Sequence, residues 1–201
     1  MSAPDLGPWQ PLALESVVAT FTSAPFRWWI SGGHALDLHL QRSWRDHENT
    51  DVGVLRGDLD AVYALLCRWD VHVAVAGQLR LWRGEPLAID RHQNNLWCRL
   101  TATGPWVLDV TICEGSGENW IYRRDPSVQL PWDMAVLRSA DGVPYLAPEL
   151  QLLYKSKGLR PKDSIDAAEV IPRLDARQHG FLARLLGPDH PWQRLLAGAR
   201  N

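Results

Sequence analysis

The chain has 201 residues, 46% apolar and 22% charged, with a formal net charge of −2. That size suits one domain, or a domain with a helical appendage, and the apolar share supports a buried core, which excludes broad disorder. No basic excess marks a nucleic-acid groove, so nucleic acid is not the expected partner.

No apolar run approaches the roughly 20 residues of a membrane helix, and the start MSAPDLGPWQ lacks a basic segment followed by an apolar one, so neither membrane insertion nor a signal peptide is expected. Cys67, Cys98 and Cys113 are widely spaced and odd in number, matching neither a disulfide framework nor a zinc ligand set. A reducing, cytoplasmic location follows as the expectation.

Leu12, Leu14, Val17, Val18 and Phe21 share a broad helical face that ends near Pro25. Residues 27–30 read as a short buried strand, broken by Ser31-Gly32-Gly33, after which Ala35, Leu36 and Leu40 resume a helical period. Thr50 to Leu55 alternates as a strand, and Asp58 is placed to cap a helix with Leu59, Val62, Leu66 and Trp69 on its apolar face. Strands are expected at 71–75, 79–82, 96–100 and 107–113, and a hairpin turning at Asp141-Gly142 between Val136-Leu137 and Tyr145-Leu146. From Pro148 onward the period is helical, with helices at 149–157, 164–174, 178–186 and 191–199. The expected fold class is therefore α/β (α+β), with a mixed central sheet over 1–147 followed by a C-terminal helical region over 148–201.

The informative segment is the strand that ends in Ser31-Gly32-Gly33 and opens a helix, followed by Arg45-Asp46-His47-Glu48-Asn49-Thr50-Asp51. Glycines at such a corner let backbone N–H groups approach a phosphate, although the same corner also serves plain strand–helix packing. Residues 47, 49 and 51 project from one face of an extended segment. Acidic groups there can chelate Mg²⁺ on a triphosphate, which binds through a few carboxylates, phosphate oxygens and water. Asp109 lies on an apolar strand, where an unpartnered carboxylate is costly, so it is either a further metal ligand and general base or a strand-edge residue paired with an arginine.

The run GGHALDLHLQRSWRDHENTDV resembles the Gly-Gly-Trp-Ala-x-Asp … Thr-Arg-x-His-x-Asp-x-Asp signature of aminoglycoside and lincosamide nucleotidyltransferases, in particular the aminoglycoside 2″-adenylyltransferase group. Blocks at 120–126, 145–149, 154–157 and 160–163 are similar to recurring segments of the same relatives. The resemblance implies a nucleotidyltransferase fold. It also implies phosphate binding at Ser31, Gly32 and Gly33, a metal carboxylate at Asp51, and a base and third carboxylate at Asp109. Arg45 and His47 match the Arg-x-His, with Arg45 assigned to the nucleotide, and Asp37 matches the helix aspartate. Three positions depart from the signature: His34 stands at its Trp, Trp44 at its Thr, and Asn49 at the first Asp of the pair. Asn49 removes one negative charge from the metal site, which leaves open a one-metal enzyme, a loss of nucleotidyl transfer, or an engineered inactivating change.

Lys155, Lys157, Arg160 and Lys162 cluster at a helix end, where they suit phosphate oxygens or simply the helix dipole. Lys155 is the one assigned to the nucleotide. Arg123 and Arg124 suit phosphate, acceptor or a local salt bridge. Glu149, at a helix start, is expected either to cap it or to face acceptor amines. Among the eleven tryptophans, Trp82 and Trp120 are placed at the acceptor cleft, with core filling as the alternative. His34 and His39 do not share a helix face, so no zinc helix motif is expected.

The expected activity is transfer of a nucleoside monophosphate, AMP from MgATP, to a hydroxyl of a small, aminoglycoside-like molecule. Mg²⁺ would be the cofactor, held by Asp51, Asp109 and Asn49, with ATP and the acceptor as partners. The alternative is a degenerate relative that binds a nucleotide or small molecule without transfer or has been recruited to other chemistry. A tRNA-modifying transferase ranks lowest for want of a basic stripe.

Overall fold

The computed structural model describes residues 6–89 and 93–198. Ala199, the expected end of the last helix, lies outside them. The chain opens with α1 (Leu14–Phe21), then β1 (Trp28–Ser31), α2 (Gly32–Leu40), β2 (Asp51–Leu55), a 3-10 turn (Arg56–Asp58), α3 (Leu59–Leu66), β3 (Asp70–Val75), β4 (Gln78–Leu81), β5 (Asn95–Arg99) and β6 (Leu108–Gly115). It continues through β7 (Asn119–Ile121), β8 (Gln129–Pro131), α4 (Trp132–Ala135), β9 (Val136–Arg138), β10 (Pro144–Leu146), α5 (Pro148–Lys155), α6 (Pro161–Val170), a 3-10 turn (Ile171–Arg173), α7 (Ala176–Leu185) and α8 (Gln193–Gly198).

The sheet is mixed, in the order β4-β3-β5-β6-β2-β1-β10-β9, with β7 joined to β6 and β8 to β7. Parallel pairing occurs between β1 and β10 and between β2 and β6. Val52 and Val54 are wholly buried, as are Val110 and Ile112. Val52 and Val54, like Leu108, Val110 and Ile112, stand at alternate positions and so bury one face of the sheet, while Asp51, Asp109 and Thr111 lie on the other.

The hairpin expected at Asp141-Gly142 forms between β9 and β10, with Gly142 at a φ of +79°. Asp58 makes no side-chain cap; it closes a 3-10 turn ahead of α3. The short elements β7, β8 and α4 have no counterpart in the expected list, because three- and four-residue segments carry too little periodicity to read.

One apolar cluster lies under α1 and α3, with Phe21, Val62 and Leu66 packed among Val52, Val110 and Ile112. A second joins the sheet to the C-terminal helices: Trp29, Leu36 and Trp120 pack with Leu150, Leu153, Ala167, Val170 and Leu182. This shared core holds α5 and α6 over one end of β1, β2 and β6, where the chain's polar buried groups gather.

Candidate active site

β1 ends at Ser31, and α2 starts on the next residue with Gly32 at a φ of +69°, a conformation that L side chains rarely adopt. A Cβ at Gly32 would overlap the Asp51 carboxylate, and one at Gly33 would overlap the His47 ring and the Arg45 guanidinium. The two glycines are thus required by what crowds onto the corner. The Gly32 N–H is already engaged, donating to Gln151 Oε1 of α5 at 2.9 Å.

Asp51 and Asp109 are direct register partners on the parallel strands β2 and β6, so their side chains leave the same face side by side. Each carboxylate receives one amide. Asn49 Nδ2 donates to Asp51 Oδ1 at 2.7 Å, and Asn95 Nδ2 donates to Asp109 Oδ1 at 2.7 Å. Burial pushes Asp51 up to about 6 against the pull of Lys155 and Lys162. Burial, and then the neighbouring Asp51 charge, pushes Asp109 up to about 8. Two desolvated carboxylates that raise one another from paired register positions favour a positive charge beside them. Asp109 is not the arginine-paired strand-edge residue of the alternative reading.

These groups line a cavity of about 300 Å³ with Ser31, Gly32, Gly33, Arg45, His47, Gln151, Tyr154 and Lys155. Arg123, Arg124, Arg160 and Lys162 contribute further cations to its wall. Two carboxylates of α6 order this wall. Asp166, wholly buried, accepts from Arg45 Nε at 2.7 Å and Nη2 at 2.8 Å, and pairs with Lys155 Nζ at 2.9 Å. Asp163 accepts from Lys155 Nζ at 3.2 Å and from Arg160 Nε at 2.9 Å. Burial alone would raise Asp166, but the Arg45 and Lys155 contacts outweigh it and hold the group below the usual carboxylate range. Arg45 and Lys155 therefore reach the cavity with charge already shared, whereas Arg123 Nη1 is buried with no partner. Glu48 is turned to Lys162 at 2.6 Å, not towards Asp51.

Ser31, Gly32, Gly33, Arg45, Asn49, Asp51, Asp109 and Lys155, placed at the site from the sequence, all border this one cavity. Three other placements are corrected. Trp82 is 2% exposed in the core beside α3, with Nε1 donating to the Glu85 carbonyl. Trp120 is wholly buried behind Tyr154, which is the ring that lines the cavity. Glu149 is wholly buried and receives Arg177 Nη2 at 2.8 Å. Their side chains follow the cores of β7, α3 and α5, and no local pattern distinguishes a core tryptophan from a cleft one. Sequence reading missed Asn95, Gln151, Asp163 and Asp166. The first two are single amides without a motif. The two carboxylates do stand three apart on a helix, which places them on one face.

The family model for aminoglycoside-2''-adenylyltransferase matches residues 13–170, a span that contains the glycine corner, both carboxylate strands and α6. The chain belongs to that family. It is accordingly an enzyme of the nucleotidyltransferase class, as the glycine and acidic motifs led one to expect. Among solved structures, the lincosamide antibiotic adenylyltransferase LnuA, lincomycin-bound, is 15% identical with a TM-score of 0.54, covering 78% of this chain and 95% of that one. ANT(2")-Ia in complex with adenylyl-2"-tobramycin is 17% identical with a TM-score of 0.49, covering 93% of this chain and 94% of that one. The likeness to LnuA establishes the nucleotidyltransferase fold expected from the sequence. No curated protein matches the chain. Among the described residues no helix is long and apolar enough to cross a membrane.

Proposed function

We propose that this family member transfers AMP from ATP to a hydroxyl of a small, aminoglycoside-like acceptor, using Asp51 and Asp109 as its acidic pair. The observation that carries the reading is the register pairing of Asp51 with Asp109 over the glycine corner. The donor set fits Mg²⁺: two carboxylates, both made hard to ionise by burial, with room beside them for phosphate oxygens and water. When bound there, the ion would supply positive charge to the phosphates and favour ionised carboxylates.

The chain's own residues divide the remaining tasks. Arg123, whose Nη1 has no partner, and Arg124 face the cavity with donors for triphosphate oxygens, while Arg160 and Lys162, already paired with Asp163 and Glu48, add positive charge beside it. Arg45 and Lys155 stiffen the wall through Asp166 and add field at the phosphates. Asp109 takes the proton of the acceptor hydroxyl, whose oxygen attacks the α-phosphorus as the bond to pyrophosphate breaks. Asn95 fixes the rotamer of Asp109 by donating to Oδ1, and the Trp97 side chain also hydrogen-bonds that carboxylate. Asn49 holds Asp51 in the same way, so the charge missing from the family signature is replaced by a hydrogen bond.

The test is pyrophosphate release from ATP with Mg²⁺ and a panel of aminoglycosides and lincosamides, read together with mass spectrometry of the acceptor. An acceptor-dependent mass gain of one AMP supports the proposal. Saturable ATP binding with no product on any acceptor overturns it and leaves the non-transferring binder, the reading that Asn49 favours.

A further inference from the structure

Beside the carboxylate pair, on the other flank of the glycine corner, α2 and the segment that follows it bring together two imidazoles and a carboxylate. His34 and Asp37 are three residues apart on α2 and therefore share a face. His47 comes back to them from the loop between α2 and β2. Its Nε2 lies 2.6 Å from Asp37 Oδ2, and its ring centroid is 4.2 Å from that of His34. Taking one ligand atom from each residue, all three lie within 4.8 Å of one another. The group is sheltered: the His47 side chain is 7% exposed and that of Asp37 14%. The second Asp37 oxygen, Oδ1, is buried with no hydrogen-bond partner, so the pairing with His47 does not use up the carboxylate.

We propose that His34, Asp37 and His47 form a binding site for a borderline-soft divalent transition-metal ion of the Zn²⁺ type, distinct from the Asp51–Asp109 pair. The donor chemistry separates the two sites. Two imidazole nitrogens and one carboxylate oxygen are a three-ligand set suited to Zn²⁺ with a fourth position left for water, whereas Mg²⁺ prefers oxygen donors alone. Tetrahedral coordination needs the ligand atoms at about 3.3 Å from one another. To reach that spacing the 2.6 Å His47–Asp37 contact would widen and the His34 ring would swing inward. Three of the chain's features then have a common purpose. The absent side chain at Gly33 gives the His47 ring its seat, the uncommitted Asp37 oxygen gains a partner, and the ion ties α2 to the loop that delivers Arg45 and Asn49 to the cavity. This inference does not depend on the transfer reaction.

Titration of the metal-stripped protein with Co²⁺, in a large excess of Mg²⁺ to occupy the carboxylate pair, tests it. The expected result is one equivalent of Co²⁺ with the intense visible bands of a four-coordinate nitrogen and oxygen site, displaced by Zn²⁺. His34→Phe should weaken that binding at least about tenfold and Asp51→Asn should leave it intact, with thermal melts of each metal-free variant confirming a folded chain. In the unaltered protein, imidazole nitrogen NMR should show two histidines shifting together with the first equivalent of Zn²⁺. No saturable binding above the Mg²⁺ background, equal binding by His34→Phe, loss of binding in Asp51→Asn alone, or a sulfur charge-transfer band from a cysteine would each overturn the proposal.

Discussion

Asn49→Asp would replace a donor with a negative charge beside Asp51 Oδ1, now 2.7 Å from the amide nitrogen. The lost bond goes to a charged acceptor and so counts for about 1.5–3 kcal/mol. Two carboxylates about 4 Å apart repel by about 4 kcal/mol at the effective dielectric of 20 that suits protein sites. Part of this is avoided at neutral pH, because one of the three clustered acids takes up a proton. A net loss of about 3 kcal/mol in EDTA is expected, which lowers the Tm of a chain this long by about 6–12 °C. With a divalent cation the sign reverses. The extra carboxylate attracts the ion by more than it repels one neighbour, and after desolvation a tightening of Mg²⁺ binding by about tenfold or more should remain. Differential scanning calorimetry in EDTA and in Mg²⁺, with calorimetric Mg²⁺ titration, reads both effects. Equal melting points in EDTA together with equal Mg²⁺ affinities would refute the account of Asn49 as the neutral partner of a metal carboxylate.

Asp51 and Asp109 are raised from an ordinary 3.8 to about 6 and about 8, so the folded, metal-free protein holds protons that the unfolded chain has released. Stability from this pair is therefore full below about pH 4 and is lost as pH rises through the two folded values. The melting temperature of the parent minus that of Asp109→Asn, followed in EDTA from pH 4 to 9, should fall steadily and then level off, and saturating Mg²⁺ should abolish the fall; a flat difference would contradict it. Asp166→Asn leaves Arg45 and Lys155 without their shared carboxylate, and breaking such a buried arrangement costs about 3–5 kcal/mol. Chemical denaturation should show that loss, and a change under about 1 kcal/mol would mean the wall cations find other partners.

Much of the site is legible in the sequence. Asp51 begins an alternating strand, Asp109 sits in an apolar one, and a two-glycine corner precedes them both; such local patterns survive folding because side-chain alternation is a property of the extended backbone itself. That periodicity determined the order of helices and strands and which carboxylates emerge from sheet strands. Tertiary structure alone decided which groups meet. The parallel register of β2 with β6 set Asp51 against Asp109, and packing of α6 over the corner committed Arg45 and Lys155 to Asp166. Return of the loop after α2 carried His47 to His34 and Asp37, a meeting that helical spacing within α2 does not encode. Trp82, Trp120 and Glu149 went to the interior for the same reason: whether an amphipathic side chain fills a core or lines a cleft depends on what the rest of the chain packs against it, and that information is spread over residues far apart in sequence.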